Sequence, residues 1–522
     1  MRNFRIGKSV ILGLLTAACW SGSVRAAIAA QAGKADHQRA KSADTRQQLI
    51  SNLRAHVHHV FIIYQENRSF DSYFGSFPGA DNLATAEARA HGFRQWDAIG
   101  KQWITPFLLK SPDSSDADHS RKALLAKTDR GKMDDFVGYE EKNLVDVKLT
   151  SPQFAQQVGM LTMAHEDCTT IPFLWMYAHR FALYDHIFQA MYGPSTPGNI
   201  DLIAGQTGQT QAARHPDEAF KSIDGTGEPV VNDANPHFGP YAHPNQALGG
   251  HQLDQTYATL MLSLSGRKAS KVKIDTDDIK DDIGELAKLN HKAVAWGWYQ
   301  EGFGNGEGNN HPAYIPHHNS PQYFGYIRQN QSMWSGEHDI TDFFSVLEKQ
   351  ELPAKSVMFV KGGRINPFGW KPANPAASGI LGDDDHPGYS DSQLSESLVA
   401  KMVNAVARSP YWKDSAIVVL WDDSEGFYDH VPPPQFETCP DKRPCGDGPR
   451  VPLLLISPYA KSGGVVSDPG DHVSFAKFLD LLYDLPPLAS LPDEKPYMPE
   501  GPRDANPRLT DLLGGFDAAR LA

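Results

Sequence analysis

The chain has 522 residues, with 49 Lys+Arg against 62 Asp+Glu and a net charge of −13. That length can bury a sizeable core, and α/β folds of this size often stay single with long insertions. The acidic balance argues against a nucleic-acid partner and against general attraction to anionic membranes, but it leaves room for a locally positive pocket that takes phosphate.

The amino terminus reads as a secretory signal over residues 1–30. Arg2, Arg5 and Lys8 precede a short apolar run at 10–20, too short to span a bilayer, and Ala27-Ile28-Ala29 offers a small-residue cleavage site. Removing these residues leaves 45 Lys+Arg against 62 Asp+Glu, net −17. The expected location is the periplasm or the exterior, with no stable membrane insertion after signal removal. Residues 31–55 are polar and read as a flexible leader with a short helix. In an exported chain, Cys439 and Cys445 read as a small loop disulfide, and Cys168 as a buried free thiol.

Val60-Phe61-Ile62-Ile63-Tyr64 is a continuous apolar run, the pattern of a strand buried on both faces. It stops at Glu66-Asn67. A carboxylate and a carboxamide there lie where open α/β sheets place ligand sites, and hard oxygen donors suit a divalent metal. Residues 68–79 read as a loop near the site and 80–118 as irregular. Ser120 is the expected cap of a helix over 121–127. The apolar stretch 171–192 predicts a helix and then an extended segment. Gly193-Pro194-Ser195-Thr196-Pro197-Gly198 predicts a turn, with a helix from Asn199 to Gly205. A hydroxyl on such a turn can meet an anion or simply cap the helix. Residues 208–265, rich in Gly, Pro, Asn and His, read as an insertion or lid.

Further strands are expected at 293–299, 356–360, 415–420 and 451–457, and helices at 341–349 and 390–408. Two loops carry histidines, at His317-His318 and at Asp383-Asp384-Asp385-His386. The strand at 415–420 runs into Asp422-Asp423, repeating the opening design. The tail, 486–522, reads as a Pro-rich surface segment. If the two donor pairs meet at one sheet edge beside a hydroxyl and several histidines, the inventory is that of metal-assisted phosphoryl transfer.

Glu66-Asn67-Arg68-Ser69-Phe70-Asp71-Ser72-Tyr73-Phe74-Gly75 resembles the signature of a bacterial phosphoesterase family that joins acid phosphatases and non-haemolytic phospholipases C. The blocks around His119, Gly193 to Asn199, His317-His318, Asp385-His386-Pro387, Trp421-Asp422-Asp423 and Gly426 to Pro432 follow in the family's order, so the resemblance covers residues 56–485. It implies an α/β fold, an alkaline-phosphatase-like α/β/α sandwich with a central, mostly parallel sheet and long loop insertions. It also implies one divalent metal, either calcium, magnesium, manganese, iron or zinc, held by Glu66, Asn67, Asp422, Asp423 and Ser195. Ser195 would be the nucleophile, His386 the general acid, and His119, His317 and His318 would bind the phosphate ester. Phospholipases of the family typically carry Gly-Pro-Thr-x-Pro-Asn-Arg at the nucleophile turn; here Ser195 replaces the Thr and the Arg is missing, which looks more like the acid-phosphatase branch. Thr196 is a rival nucleophile. The expected activity is an acid phosphatase using a phospho-Ser intermediate. The alternatives are a phospholipase C acting on phosphatidylcholine and a non-catalytic phosphate or metal binder.

Overall fold

The computed structural model describes residues 44–90, 93–146, 150–216, 229–236, 252–274, 276–289, 292–304, 311–499 and 501–522. The expected signal at 1–30 lies outside the described residues, as do 217–228 and 237–251 of the expected insertion. The chain divides into two units, residues 1–55 and 56–522; the first is helical from residue 44. Among the described residues no helix is long and apolar enough to cross a membrane.

The second unit is built on an eight-stranded sheet. Its strands are β1 (His59–Gln65), β2 (Ala182–Tyr184), β3 (Ala295–Gln300), β4 (Glu337–Asp339), β5 (Ser356–Lys361), β6 (Ser415–Trp421), β7 (Leu453–Ile456) and β8 (Val465–Val466). They lie in the order β4-β3-β5-β1-β6-β7-β2-β8. All neighbours pair in parallel except β7, which runs antiparallel to both β6 and β2. β1 and β6 are buried at every position, as expected of central strands covered on both faces.

Alternation of side chains sends helices to both faces. Phe61 of β1 meets Phe343 on helix α4 (Ile340–Glu348), with ring centres 5.9 Å apart. Ile62 aligns with Phe359 of β5, and Phe359 meets Phe475 of helix α6 (Val473–Tyr483) at 5.8 Å. Helix α5 (Ser392–Arg408), capped by Asp391 through the Leu394 N–H, lies on the α4 side, where its Ser395 carbonyl accepts from Gln65. Helix α3 (Ser195–Ala204) packs with α6 on the other side. The result is the expected α/β/α layering. Two short helices complete the surroundings of the site: α1 (Phe70–Phe74) and α2 (Arg121–Lys127), the latter capped by Ser120 as expected.

Three expectations need correction. Cys168 is exposed rather than buried, because it sits on a turn that Asp167 closes by accepting from the Thr169 N–H and hydroxyl; Cys439 and Cys445 do form a disulfide. The tail does more than wrap the surface: Leu491, Leu512 and Phe516 are buried, and Arg503 pairs with Asp447 and Asp471. The stretch 80–118 is not wholly irregular, for it contains an antiparallel hairpin of Gln95–Asp97 and Gln102–Ile104.

Candidate active site

Register puts the two donor pairs side by side. Gln65 at the end of β1 aligns with Trp421 at the end of β6, so Glu66-Asn67 and Asp422-Asp423 leave adjacent parallel strands at one carboxyl edge. The two turns then lock together. The Asn67 N–H donates to Asp422 Oδ1 at 3.0 Å, and the Arg68 N–H to the Asp423 carbonyl at 2.9 Å. Asn67 holds a left-handed φ of 56°, a conformation Asn tolerates better than most residues. The Glu66 N–H donates to the Asp384 carbonyl at 2.8 Å, bringing in the triple-aspartate loop.

The hydroxyl of Ser195 arrives from α3. Its Oγ donates to Glu66 Oε2 at 2.8 Å and lies 3.5 Å from Asp423 Oδ2. The helix starts at Ser195 itself, four residues earlier than the sequence suggested. Its closest approach is Gly198, where an added Cβ would sit 2.5 Å from the Asp422 carbonyl oxygen. Thr196 turns elsewhere: its N–H donates to Asp233, and its Oγ1 lies 3.4 Å from both the Tyr323 hydroxyl and the Ala234 N–H.

The four expected histidines divide into two pairs. His318 Nδ1 lies 3.2 Å from Glu66 Oε1, and His317 stacks edge-on against it at 4.3 Å. Burial holds both imidazoles below their ordinary value, His318 well below, with His317 and Lys361 adding to its shift. On the other side His119 Nε2 lies 3.2 Å from Asn67 Nδ2, and its ring meets that of His386 at 5.8 Å. Burial works against the His119 cation, but Glu425 and Asp423 outweigh it and lift this imidazole well above its ordinary value. Burial pulls His386 down to about 4. Its Nδ1 donates to the Pro387 carbonyl at 2.7 Å.

Residues 57–486 match the phosphoesterase family. The chain belongs to that family. Its relatives include the non-hemolytic phospholipase C of Burkholderia pseudomallei, 23% identical over 82% of this chain and 55% of the relative. The hemolytic phospholipase C of Pseudomonas aeruginosa is also 23% identical, over 81% of this chain and 52% of the relative. The chain thus spans about half the length of these curated relatives. Among solved structures, a protein in the alkaline phosphatase superfamily from Vibrio parahaemolyticus has a TM-score of 0.33 at 10% identity, covering 84% of this chain and 75% of that one.

A divalent ion fits the donor set at the strand ends. Glu66, Asp422 and Asp423 are buried carboxylates, and the Ser195 hydroxyl lies against Glu66 and Asp423. Asp422 Oδ1 accepts two backbone N–H groups, while Asp422 Oδ2 and Asn67 Oδ1 are buried with no hydrogen-bond partner among the described residues. Unpaired buried acceptors of this kind call for a cation. Burial, and then Asp422, push the Glu66 carboxyl well above its ordinary value. Burial and Asp422 do the same to Asp423. Burial would raise Asp422 too, but Lys361 holds it below its ordinary value. Two further groups bring three donor atoms within 4.8 Å of one another: His119–His386–Glu425 and Asp71–Asp429–His430. In the second, Arg450 donates to Asp429 and Asp71 and His430 lies 2.7 Å from Asp71, so both carboxylates already face cationic partners.

Sequence reasoning missed Lys361, Asp384 and Glu425. Lys361 ends β5, the neighbour of β1 on the side away from β6. Its ammonium contacts Glu66 Oε1 directly and lies 3.9 Å from Asp422 Oδ2. Glu425 accepts from Asn67 Nδ2 at 2.6 Å and from the Ala117 N–H at 2.7 Å, which ties the His119 loop to the Glu66-Asn67 turn. Lys361 carried a readable signal, since it too is a polar residue ending a buried apolar run.

Proposed function

We propose that the chain is an exported, metal-dependent phosphoric ester hydrolase that cleaves phosphomonoesters through a phosphoserine at Ser195. The observation that carries this is the Ser195 hydroxyl, set on a helix N-terminus and hydrogen-bonded to a carboxylate at the carboxyl edge of a parallel sheet. A binder has no use for a nucleophile so placed.

The chemistry follows from the groups. Ser195 Oγ attacks phosphorus in line with the ester oxygen; the Oγ–P bond forms, the ester P–O bond breaks, and the hydroxyl proton passes to Glu66. Glu66, Asn67, Asp422 and Asp423, with Ser195, would hold the divalent ion, which when bound acidifies the hydroxyl and offsets charge on the phosphoryl oxygens. His119, His317 and His318 face those oxygens. His386 passes its Nε2 proton to the leaving oxygen, its Nδ1 being held by Pro387. The substrate dianion adds to the pull of Asp116, which alone does not outweigh burial at His386. In the second half, His386 takes a proton from water, the water oxygen bonds to phosphorus as the Oγ–P bond breaks, Glu66 returns its proton to Ser195 Oγ, and inorganic phosphate leaves.

The names of the relatives favour a second reading, cleavage of a phosphodiester of the phospholipase C kind. Both are tested by hydrolysis of p-nitrophenyl phosphate beside p-nitrophenyl phosphocholine, with and without chelator. Ser195→Ala is expected to lose at least ~10³-fold in turnover, Thr196→Ala to keep most of it, and chelator to abolish it. Preference for the phosphocholine ester would move the assignment to phospholipase C. Retention of activity in Ser195→Ala would sink the phosphoserine mechanism.

A further inference from the structure

The hairpin of Gln95–Asp97 and Gln102–Ile104 plays no part in the site, and its construction is unusual. Its inward residues are bolted down. Gln95 Oε1 accepts the N–H groups of Phe136 and Val137 at 2.6 and 3.1 Å, and Gln95 Nε2 donates to the Met133 carbonyl. Asp97 accepts from Gln102 at 2.9 Å and from Gln156 at 2.7 Å. Ile104 joins a core cluster with Leu83, Met133 and Phe136. The residues between these anchors are Trp96 and Trp103. They pair directly across the strands, their rings edge-to-face at 5.4 Å, and they are 44% and 56% exposed.

Alternation turns both rings outward, and cross-strand aromatic pairing stabilises a hairpin by itself, but pairing alone does not call for two indoles that stay about half exposed. A second feature does point to a ligand. Residues 89–110 carry Arg89, Arg94, Lys101 and Lys110, all exposed, against the single acid Asp97, in a chain whose net charge is −13. The Arg94 guanidinium stands 5.1 Å from the centre of the Trp103 ring. Indoles flanked by Arg and Lys have the composition that settles at the headgroup level of a bilayer, with the ring at the acyl boundary and the cation on phosphate.

We propose that this hairpin docks the protein on a phosphatidylcholine bilayer, with Trp96 and Trp103 entering the interface and Arg94 and Lys101 meeting lipid phosphates. The docking is peripheral and needs no membrane-spanning element. It goes beyond the hydrolase reading and does not depend on which ester is cleaved.

The test is sedimentation of the full chain with phosphatidylcholine vesicles, together with quenching of tryptophan fluorescence by brominated phosphatidylcholine. Wild type is expected to partition onto the vesicles. Trp96→Ala/Trp103→Ala is expected to bind about tenfold more weakly or worse and to lose the quenching, with p-nitrophenyl phosphate turnover and the circular dichroism spectrum unchanged. Because both proteins share the same amino-terminal segment, the difference reports on the hairpin. Arg94→Gln/Lys101→Gln keeps both indoles and serves if the tryptophan variant does not fold; its binding is expected to fall several-fold. Equal partitioning of wild type and both variants would overturn the proposal. So would a wild type that ignores vesicles, or one held by a soluble polysaccharide through the same two rings instead. Vesicle binding is read without turnover, so its failure is separable from failure of the hydrolase reading.

Discussion

Lys361 decides the charge of the site. Three buried carboxylates, Glu66, Asp422 and Asp423, face one ammonium that contacts Glu66 and lies near Asp422. With the carboxylates ionised the set carries −2, which one divalent cation cancels. Lys361 and His318 also occupy Glu66 Oε1, so that Oε2 is the atom presented to Ser195. Engaging one oxygen of a carboxylate in this way orients the other. Lys361→Met leaves a buried carboxylate without its partner, which costs about 3–5 kcal/mol. In chelator the variant is expected to melt several degrees below wild type. Added magnesium or calcium should then raise its melting temperature more than it raises that of wild type, since the ion supplies the missing charge. Equal metal-induced shifts, measured by calorimetry, would remove Lys361 from the charge balance. The apolar run of β5 ends at Val360, one position before Lys361, so a single polar residue after it does not stand out in the sequence. Glu66-Asn67 and Asp422-Asp423 were legible because each doubles the signal.

Helix α3 shows where punctuation by Gly and Pro misleads. Pro194, Pro197 and Gly198 read as a turn, yet Ser195, Thr196 and Pro197 are the first three residues of the helix. The N–H groups of a first turn have no intrahelical partner, so Pro197 gives up no helical bond there. The misreading mattered little for Ser195, since either version leaves it near a helix start. It hid the role of Gly198, which lets the helix lie against the backbone of Asp422. In Gly198→Ala the new Cβ would be 2.5 Å from the Asp422 carbonyl oxygen and 3.2 Å from His472 Cε1. Backbone cannot yield as a flexible side chain can, so α3 must move, carrying Ser195 off Glu66. Overpacking of this sort costs about 1–3 kcal/mol, and a displacement near 1 Å costs about 10²-fold in rate. The variant is therefore expected to remain folded, to melt a few degrees lower and to lose most turnover at saturating substrate. Wild-type turnover in Gly198→Ala would show that the contact does not set the position of Ser195. The hairpin of Trp96 and Trp103 was illegible for another reason: its strands are three residues each, too short for alternation to stand out from an irregular stretch.

At the scale of the molecule, sequence pattern gave the central strands because buried parallel strands are continuous apolar runs, and order along the chain said nothing of their order in space. That β1 and β6 are neighbours follows only from the sheet. The tail was read as surface from its prolines, although Leu491 and Phe516 are core residues. A further long-range feature is the buried network around His430. Its Nδ1 lies 2.7 Å from Asp71 and its Nε2 3.0 Å from Asp81, while Arg450 donates to Asp429, Asp71 and the Asp185 carbonyl. His186 also faces Asp81, at 3.5 Å. Segments that follow β1, β2 and β6, together with the one that precedes β7, are thereby tied together. Burial disfavours the His430 cation, but Asp71 and Asp81 outweigh burial and Arg450 and raise the imidazole to about 9. The ordinary unfolded value is about 6.5, so the native state binds this proton more tightly. Its stabilisation is complete below about pH 6.5 and is lost as the pH rises through about 9, a difference of roughly 3 kcal/mol. Urea midpoints are therefore expected to fall between those two values. His430→Gln should be less stable at pH 6 and should lose most of that slope, because Gln keeps hydrogen bonds to the two aspartates but has no proton to release. A variant whose stability still declined as steeply as wild type would place the titrating group elsewhere.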